Sequence, residues 1–358
     1  MPKPYRLDMR RARRVFGRIV VAYQRQQFPF NLPGVVLPHI DERLPNTMHR
    51  GGEDHARFLF YACLQMKGGI KSDTALQTLA RLHERRPDLF RPECAGRLSP
   101  ADVTRLLVDY RLGLNSQLIG QHWVENSRRL MARHDGRVIG MFHGIRTYDE
   151  ACRLVLNQLN GPSGPAGFLG FGHKMVSMLL YFLIDARLIT EFPFPPPVDI
   201  HWLRLLVEHR ILSWRGRIGT EPPDDLPYGG NFFQPGILAD VRRLLRRYIE
   251  TCGWPQVEVN NAIWLYAKTL CGRQPGNRSH HGRYPARRTT VRPVSIAWTP
   301  EQLRAYQQTC ARCIVQRTCR FNVPSALYNQ LGRIQIRGRR PQPPVSSQLS
   351  FSWKRKTS

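Results

Sequence analysis

Apolar residues recur along most of the chain at helical rather than strand spacing. Leu76, Leu79 and Leu82 share one face of a stretch opened by Ser72-Asp73. Ser99-Pro100-Ala101-Asp102 reads as an N-cap, a proline at the first helical position and an acid in the first turn. Thr147-Tyr148-Asp149-Glu150 is a capping box, and Thr299-Pro300-Glu301-Gln302 repeats the device. Amphipathic stretches lie near 53–66, 116–133, 236–251 and 257–271. Strand-like alternation is scarce, so the pattern predicts an all-α protein. The run from Met175 to Ile184 is apolar on nearly every side and predicts a buried helix. At ten residues it is too short to cross a bilayer, which takes roughly 20.

Charge changes the picture. The 358 residues hold 54 Lys plus Arg against 26 Asp plus Glu, a formal charge of +28. An excess of this size seeks a polyanion, because contacts to phosphates release condensed counterions. Three segments read as solvated loops or tails that could also follow a phosphate backbone. They are 214–235, rich in Gly and Pro, the Arg-rich 272–293, and the basic tail 320–358, the last two without an acid. Arg10, Arg11, Arg13 and Arg14 make the N-terminus basic, with no secretory apolar stretch after them. Eight cysteines without such a signal point to a reducing compartment, the cytoplasm or the nucleoid, rather than to a disulfide framework.

Two runs carry candidate chemistry. In Leu169-Gly170-Phe171-Gly172-His173-Lys174, two glycines permit a tight turn that feeds a helix N-terminus. Free N–H groups and the positive dipole end suit a phosphate there. Further on, Pro195-Pro196-Pro197-Val198-Asp199-Ile200-His201-Trp202-Leu203-Arg204 opens a new helix with Asp199 near its cap. By themselves these read equally as a plain helix–helix turn and a plain cap. Cys310-Ala311-Arg312-Cys313 and then Cys319 form C-x2-C-x5-C, with Cys271 ending a helix upstream. Thiolates so spaced can converge on one metal centre, zinc or iron–sulfur.

These runs together resemble the helix-hairpin-helix DNA glycosylases of the endonuclease III type. Gly170, Gly172 and Lys174 match that family's LPGVGxKTA-like hairpin. Val198, Asp199, His201 and Arg204 match its VDTHxxR-like segment. Cys310, Cys313 and Cys319 match the last three positions of its C-x6-C-x2-C-x5-C loop. The chain departs from the pattern in three places. Leu169 stands at the usual hairpin proline, Lys174 and Asp199 lie 25 positions apart with extra length at 192–197, and 38 residues separate Cys271 from Cys310.

The resemblance implies a two-domain fold, a helical barrel plus a helical iron–sulfur domain. Residues 53–190 would form the barrel with the hairpin. Residues 191–320 would form the cluster domain with an Arg-rich insertion at 272–309. Residues 1–52 would pack on or near the cluster domain, and 321–358 would be a basic tail. It implies a monomer that grips duplex DNA without a membrane, extrudes one base and breaks its glycosidic bond. Asp199 takes the place of the essential carboxylate and Lys174 that of the lysine that attacks the sugar in members with lyase activity. Gly170, Gly172, His173, His201 and Arg204 would contact DNA. Gln65, at the end of the Phe58-to-Gln65 helix, would fill the gap left by the base. Cys271, Cys310, Cys313 and Cys319 would hold a [4Fe–4S] cluster, with zinc as the competing reading.

The chemistry is coherent. Departure of a base builds positive charge on the sugar, which a carboxylate stabilises. A lysine attacks only as the neutral amine, so burial or neighbouring cations are expected around it. A glycosylase without lyase chemistry and a non-catalytic binder of DNA structure are the competing functions. The excised base is not legible, because fold analogy does not name a substrate.

Overall fold

The computed structural model describes residues 5–32, 35, 37, 43–66, 72–112, 115–161, 164–214, 235–269, 290–292, 312–319 and 335–337. The described chain is mostly helical. In order come α1 (Met9–Gln24), α2 (Glu53–Met66), α3 (Ser72–Arg85), α4 (Pro92–Ala95), α5 (Pro100–Asp109) and α6 (Ser116–His134). Then follow α7 (Val138–Met141), α8 (Tyr148–Val155), α9 (His173–Asp185), α10 (Ile200–Glu208), α11 (Pro235–Cys252) and α12 (Gln256–Thr269). Strands occur only as short antiparallel pairs among the described residues: Tyr5–Leu7 with Leu212–Trp214, Gln158–Gly161 with Gly164–Ala166, and Thr290–Arg292 with Gln335–Arg337.

Local sequence explains the helix ends. Ser99 caps α5 by accepting from the Asp102 N–H, with Pro100 at the first helical position. Thr147 and Glu150 form the reciprocal capping box of α8: Thr147 Oγ1 accepts from Glu150 N at 3.2 Å and Glu150 Oε2 accepts from Thr147 N at 3.0 Å. The candidate box at 299–302 lies outside the described residues. Leu76, Leu79 and Leu82 of α3 are all buried, as their spacing predicts.

Buried side chains fall into two clusters. The first gathers α2 to α9, with Trp123 at its centre stacked on Tyr61 at 4.3 Å. The indole N–H of Trp123 donates to the Leu89 carbonyl at 2.9 Å, so the ring is buried without an orphaned donor. The second cluster gathers α10, α11 and α12 with α1. On α1, Val15, Phe16, Ile19 and Val20 face inward, and Phe16 meets Trp202 and Tyr248 edge-on. Tyr5 donates to Asp240 Oδ2 at 2.5 Å, tying the N-terminal strand to α11. Val315, in the loop after Cys313, is buried in this cluster too. Between the clusters, Tyr181 donates to Asn261 Oδ1 at 2.5 Å, the Phe194 N–H donates to Gln256 Oε1 at 2.8 Å, and Arg246 pairs with Asp149 at 3.1 Å.

Among the described residues no helix is long and apolar enough to cross a membrane. Cys63 and Cys152 are buried in the first cluster, where desolvation pushes both thiols up from their ordinary pKa. That is the behaviour of core cysteines.

Candidate active site

The turn before α9 is built from inside. Phe168 and Phe171 are buried on either side of the glycine step and anchor it in the first cluster. Asn126 of α6 is fully buried and holds Leu169 at both backbone groups, donating to its carbonyl at 2.9 Å and accepting from its N–H at 2.7 Å. Arg129 of α6 donates to the Gly167 carbonyl at 3.0 Å. Gly170 has φ +85°, and a Cβ there would lie 2.9 Å from His122 Nδ1, so the turn requires glycine on both counts. Gly172 is different: its φ is −82°, and a Cβ would meet nothing within 4 Å. The protein itself does not demand a glycine at 172.

His173 and Lys174 are the first two residues of α9. The His173 ring is half-buried with Nδ1 3.2 Å from the Tyr148 hydroxyl. Burial, then Arg242, lowers its pKa from the ordinary value, which favours the neutral ring. Lys174 is exposed. The burial expected around this amine is therefore not supplied by the free protein, because its position at the open end of α9 turns it outward.

Asp199 caps α10. Its Oδ1 accepts from the N–H groups of His201 at 2.8 Å and Trp202 at 3.1 Å. Its Oδ2 accepts from the indole N–H of Trp264 on α12 at 3.1 Å. The cap reading of this residue is thus realised, and the second oxygen ties the cap to α12. The Lys268 ammonium sits over the Trp264 ring, 4.5 Å from its centroid, and His201 meets that ring edge-on. The side chain of Arg204 lies outside the described residues.

Lys174 and Asp199 line one cavity of about 490 Å³. Lys174, Tyr181 and Phe182 come from α9, Asn260, Trp264 and Lys268 from α12, and Asp199 from the cap of α10. Met66, Leu76 and Met178 add apolar surface to the lining. A concave, largely apolar space with a few convergent polar groups is the usual form of a small-molecule site. Compared with known proteins, the chain matches no family model and no curated sequence.

Gln65 requires a correction. It is not at a surface where it could enter DNA; it is fully buried and its amide donates to the Leu112 carbonyl at 2.5 Å. The reason is that α2 runs through the middle of the first cluster, so even its last turn is enclosed. Of the four candidate metal ligands, Cys271 and Cys310 lie outside the described residues. Cys313 and Cys319 flank the single turn Gln316–Thr318. Among the described residues no group of three or more metal-binding side chains comes together. The loop is well fastened: Tyr266 Oη lies 2.7 Å from Cys313 Sγ, His209 Nδ1 lies 2.8 Å from Thr318 Oγ1, and Arg312 covers the Phe28 ring at 4.4 Å.

Sequence reasoning missed Asn126, Tyr181, Asn260, Trp264 and Lys268. The last three recur every four residues on one helix, a spacing that shares a face. That signal was present, but nothing local said the face lined a cavity.

Proposed function

We propose that the chain is a DNA glycosylase with associated lyase activity, built as a helix-hairpin-helix fold of two helical lobes around the cavity. The observation that carries the reading is that Lys174 and Asp199, 25 positions apart, line the same cavity between the lobes. A coincidental lysine and a coincidental cap have no reason to converge.

Duplex DNA is the partner. The +28 charge supplies affinity through counterion release, and the α9 N-terminus with the bare Gly172 supplies a seat for a phosphate. One nucleotide leaves the stack, at a few kcal/mol, and its base enters the cavity. As the C1′–N bond breaks, the electron pair leaves with the base and positive charge grows on the sugar. The Asp199 carboxylate stabilises that charge. The Lys174 amine, enclosed once DNA covers the cavity mouth, adds to C1′ and loses a proton, and opening of the sugar ring gives a Schiff base. Loss of a C2′ proton then forms the C2′=C3′ bond as the C3′–O bond breaks and the phosphate leaves with the electron pair, and water hydrolyses the imine to return the lysine.

Cys271, Cys310, Cys313 and Cys319 would hold a [4Fe–4S] cluster. The thiolate donor set suits it, and the turn between Cys313 and Cys319 is fixed on the second lobe. Bound there, it would tie Cys271 and Cys310 to the turn between Cys313 and Cys319.

The test is borohydride trapping on a duplex with one abasic site. Wild-type protein should form a covalent adduct, and Lys174→Ala should not. An adduct of equal yield in Lys174→Ala removes the lysine from the chemistry. Cleavage of neither abasic nor lesion-bearing duplexes removes the enzyme.

A further inference from the structure

Two neighbouring asparagines on α12 line the cavity and are treated differently by the fold. Asn261 is engaged by two tyrosines: it accepts from the Tyr181 hydroxyl at 2.5 Å and also hydrogen-bonds Tyr23. Asn260 is 4% exposed, and neither its amide oxygen nor its amide nitrogen has a hydrogen-bond partner among the described residues. Burying a complete amide without partners is strongly unfavourable, and a fold retains such a group where something outside the protein completes it. One turn further on, Trp264 occupies the same wall and holds Asp199. The spare amide therefore lies one helical turn from the residue that positions the candidate carboxylate.

We propose that Asn260 reads the hydrogen-bonding edge of the base lodged in the cavity, one donor and one acceptor from the amide meeting an adjacent acceptor and donor on the ring. The proposal rests on the glycosylase reading and names its substrate class. The base carries a neighbouring N–H donor and acceptor on its exposed edge. A base whose edge is blocked by alkylation is refused, because it would leave the amide buried and unpaired. An asparagine amide pairs with a base edge in this two-bond manner wherever geometry allows. Asn260 is then a specificity-determining residue, separate from the groups that act on the sugar.

The test uses the full chain and three proteins: wild type, Asn260→Ala and Asn260→Leu. Single-turnover excision is measured on duplexes carrying one oxidised pyrimidine, one mismatched thymine or one oxidised guanine. Affinity for an abasic duplex, which offers no base edge, is the control. Both variants should lose roughly 10- to 100-fold in excision of the base the wild type removes, the range of a two-bond base contact. Their affinity for abasic DNA should stay at the wild-type value. Asn260→Leu, close in size and apolar, should unfold at the same temperature as the wild type or higher in the absence of DNA. Undiminished excision overturns the proposal. An equal loss on abasic DNA also does so, since the residue would then grip the backbone. A lower melting temperature for Asn260→Leu does so too, since the amide would then be satisfied within the chain. A wild type that excises nothing and does not recognise abasic DNA overturns the glycosylase reading itself, and the proposal with it.

Discussion

Replacing Asp199 by asparagine separates its structural work from its proposed chemistry. The carboxylate accepts three N–H groups, two from the backbone of α10 and one from the Trp264 indole. Asparagine has one acceptor oxygen. Turned to keep the cap, which asparagine serves as well as aspartate, it points its NH₂ at the indole N–H. Two donors then face each other in a half-buried place. The lost bond and the unpaired donor destabilise the protein by about 1–3 kcal/mol. Trp264→Phe removes the opposing donor. In that background the asparagine penalty should shrink by at least about 1 kcal/mol, a coupling that a double-mutant cycle reads directly. Excision should behave otherwise. The negative charge is absent in both Asp199→Asn proteins, so both should fall on the order of 10²- to 10³-fold in single-turnover rate. Urea unfolding of the four proteins gives the stabilities. Strictly additive penalties would refute the bond between Asp199 and Trp264. Excision recovered in the double variant would refute the carboxylate's electrostatic role and leave it a cap.

The two hairpin glycines should behave oppositely. Gly170→Ala places a side chain at φ +85° with its Cβ 2.9 Å from His122, so stability should fall by about 1–2 kcal/mol from the backbone alone. Gly172→Ala meets open space and should melt like the wild type while binding duplex DNA more weakly in fluorescence anisotropy; unchanged binding refutes a phosphate seat at that step. Burial, with Arg11 nearby, holds the His209 imidazole down at about 3. The unfolded chain binds that proton near its ordinary value of about 6.5, so the stabilisation is complete above that pH and is lost as pH falls toward 3. Between pH 7 and pH 5 the wild type should lose about 2 kcal/mol that His209→Gln does not. Equal losses in urea unfolding would place the titration elsewhere.

How much of this was legible varied with how local the cause was. Capping at Ser99 and Thr147 is written in four consecutive residues, and the helices start there. The buried face of α3 follows from the spacing of three leucines. Lys174 and Asp199 were readable as motif positions, but their meeting across a cavity depends on how two lobes pack, which no window of sequence contains. Gln65 failed for the same reason: its helix has a polar end in the sequence and an enclosed one in three dimensions. Asn126 shows the reverse loss. A lone asparagine on an amphipathic helix carries no signal, yet it fixes both backbone groups of Leu169. Asn260 stands out only once its neighbours are known to leave its amide without a partner.

The placement of α1 has a consequence for how the chain is made. Its partners α10 to α12 begin at Ile200 and end at Thr269, so the first helix leaves the ribosome long before the surface it covers exists. At about 5–20 residues per second that interval is roughly 10–50 s. The first lobe can complete its core during that time, while Val15, Phe16, Ile19 and Val20 wait in water. The arginines on the outer face of α1 keep the waiting helix dispersed. Closure of the second lobe is thereby a late event, and removal of the first thirty residues should leave a translated chain with one finished half and one sticky, unclosed half.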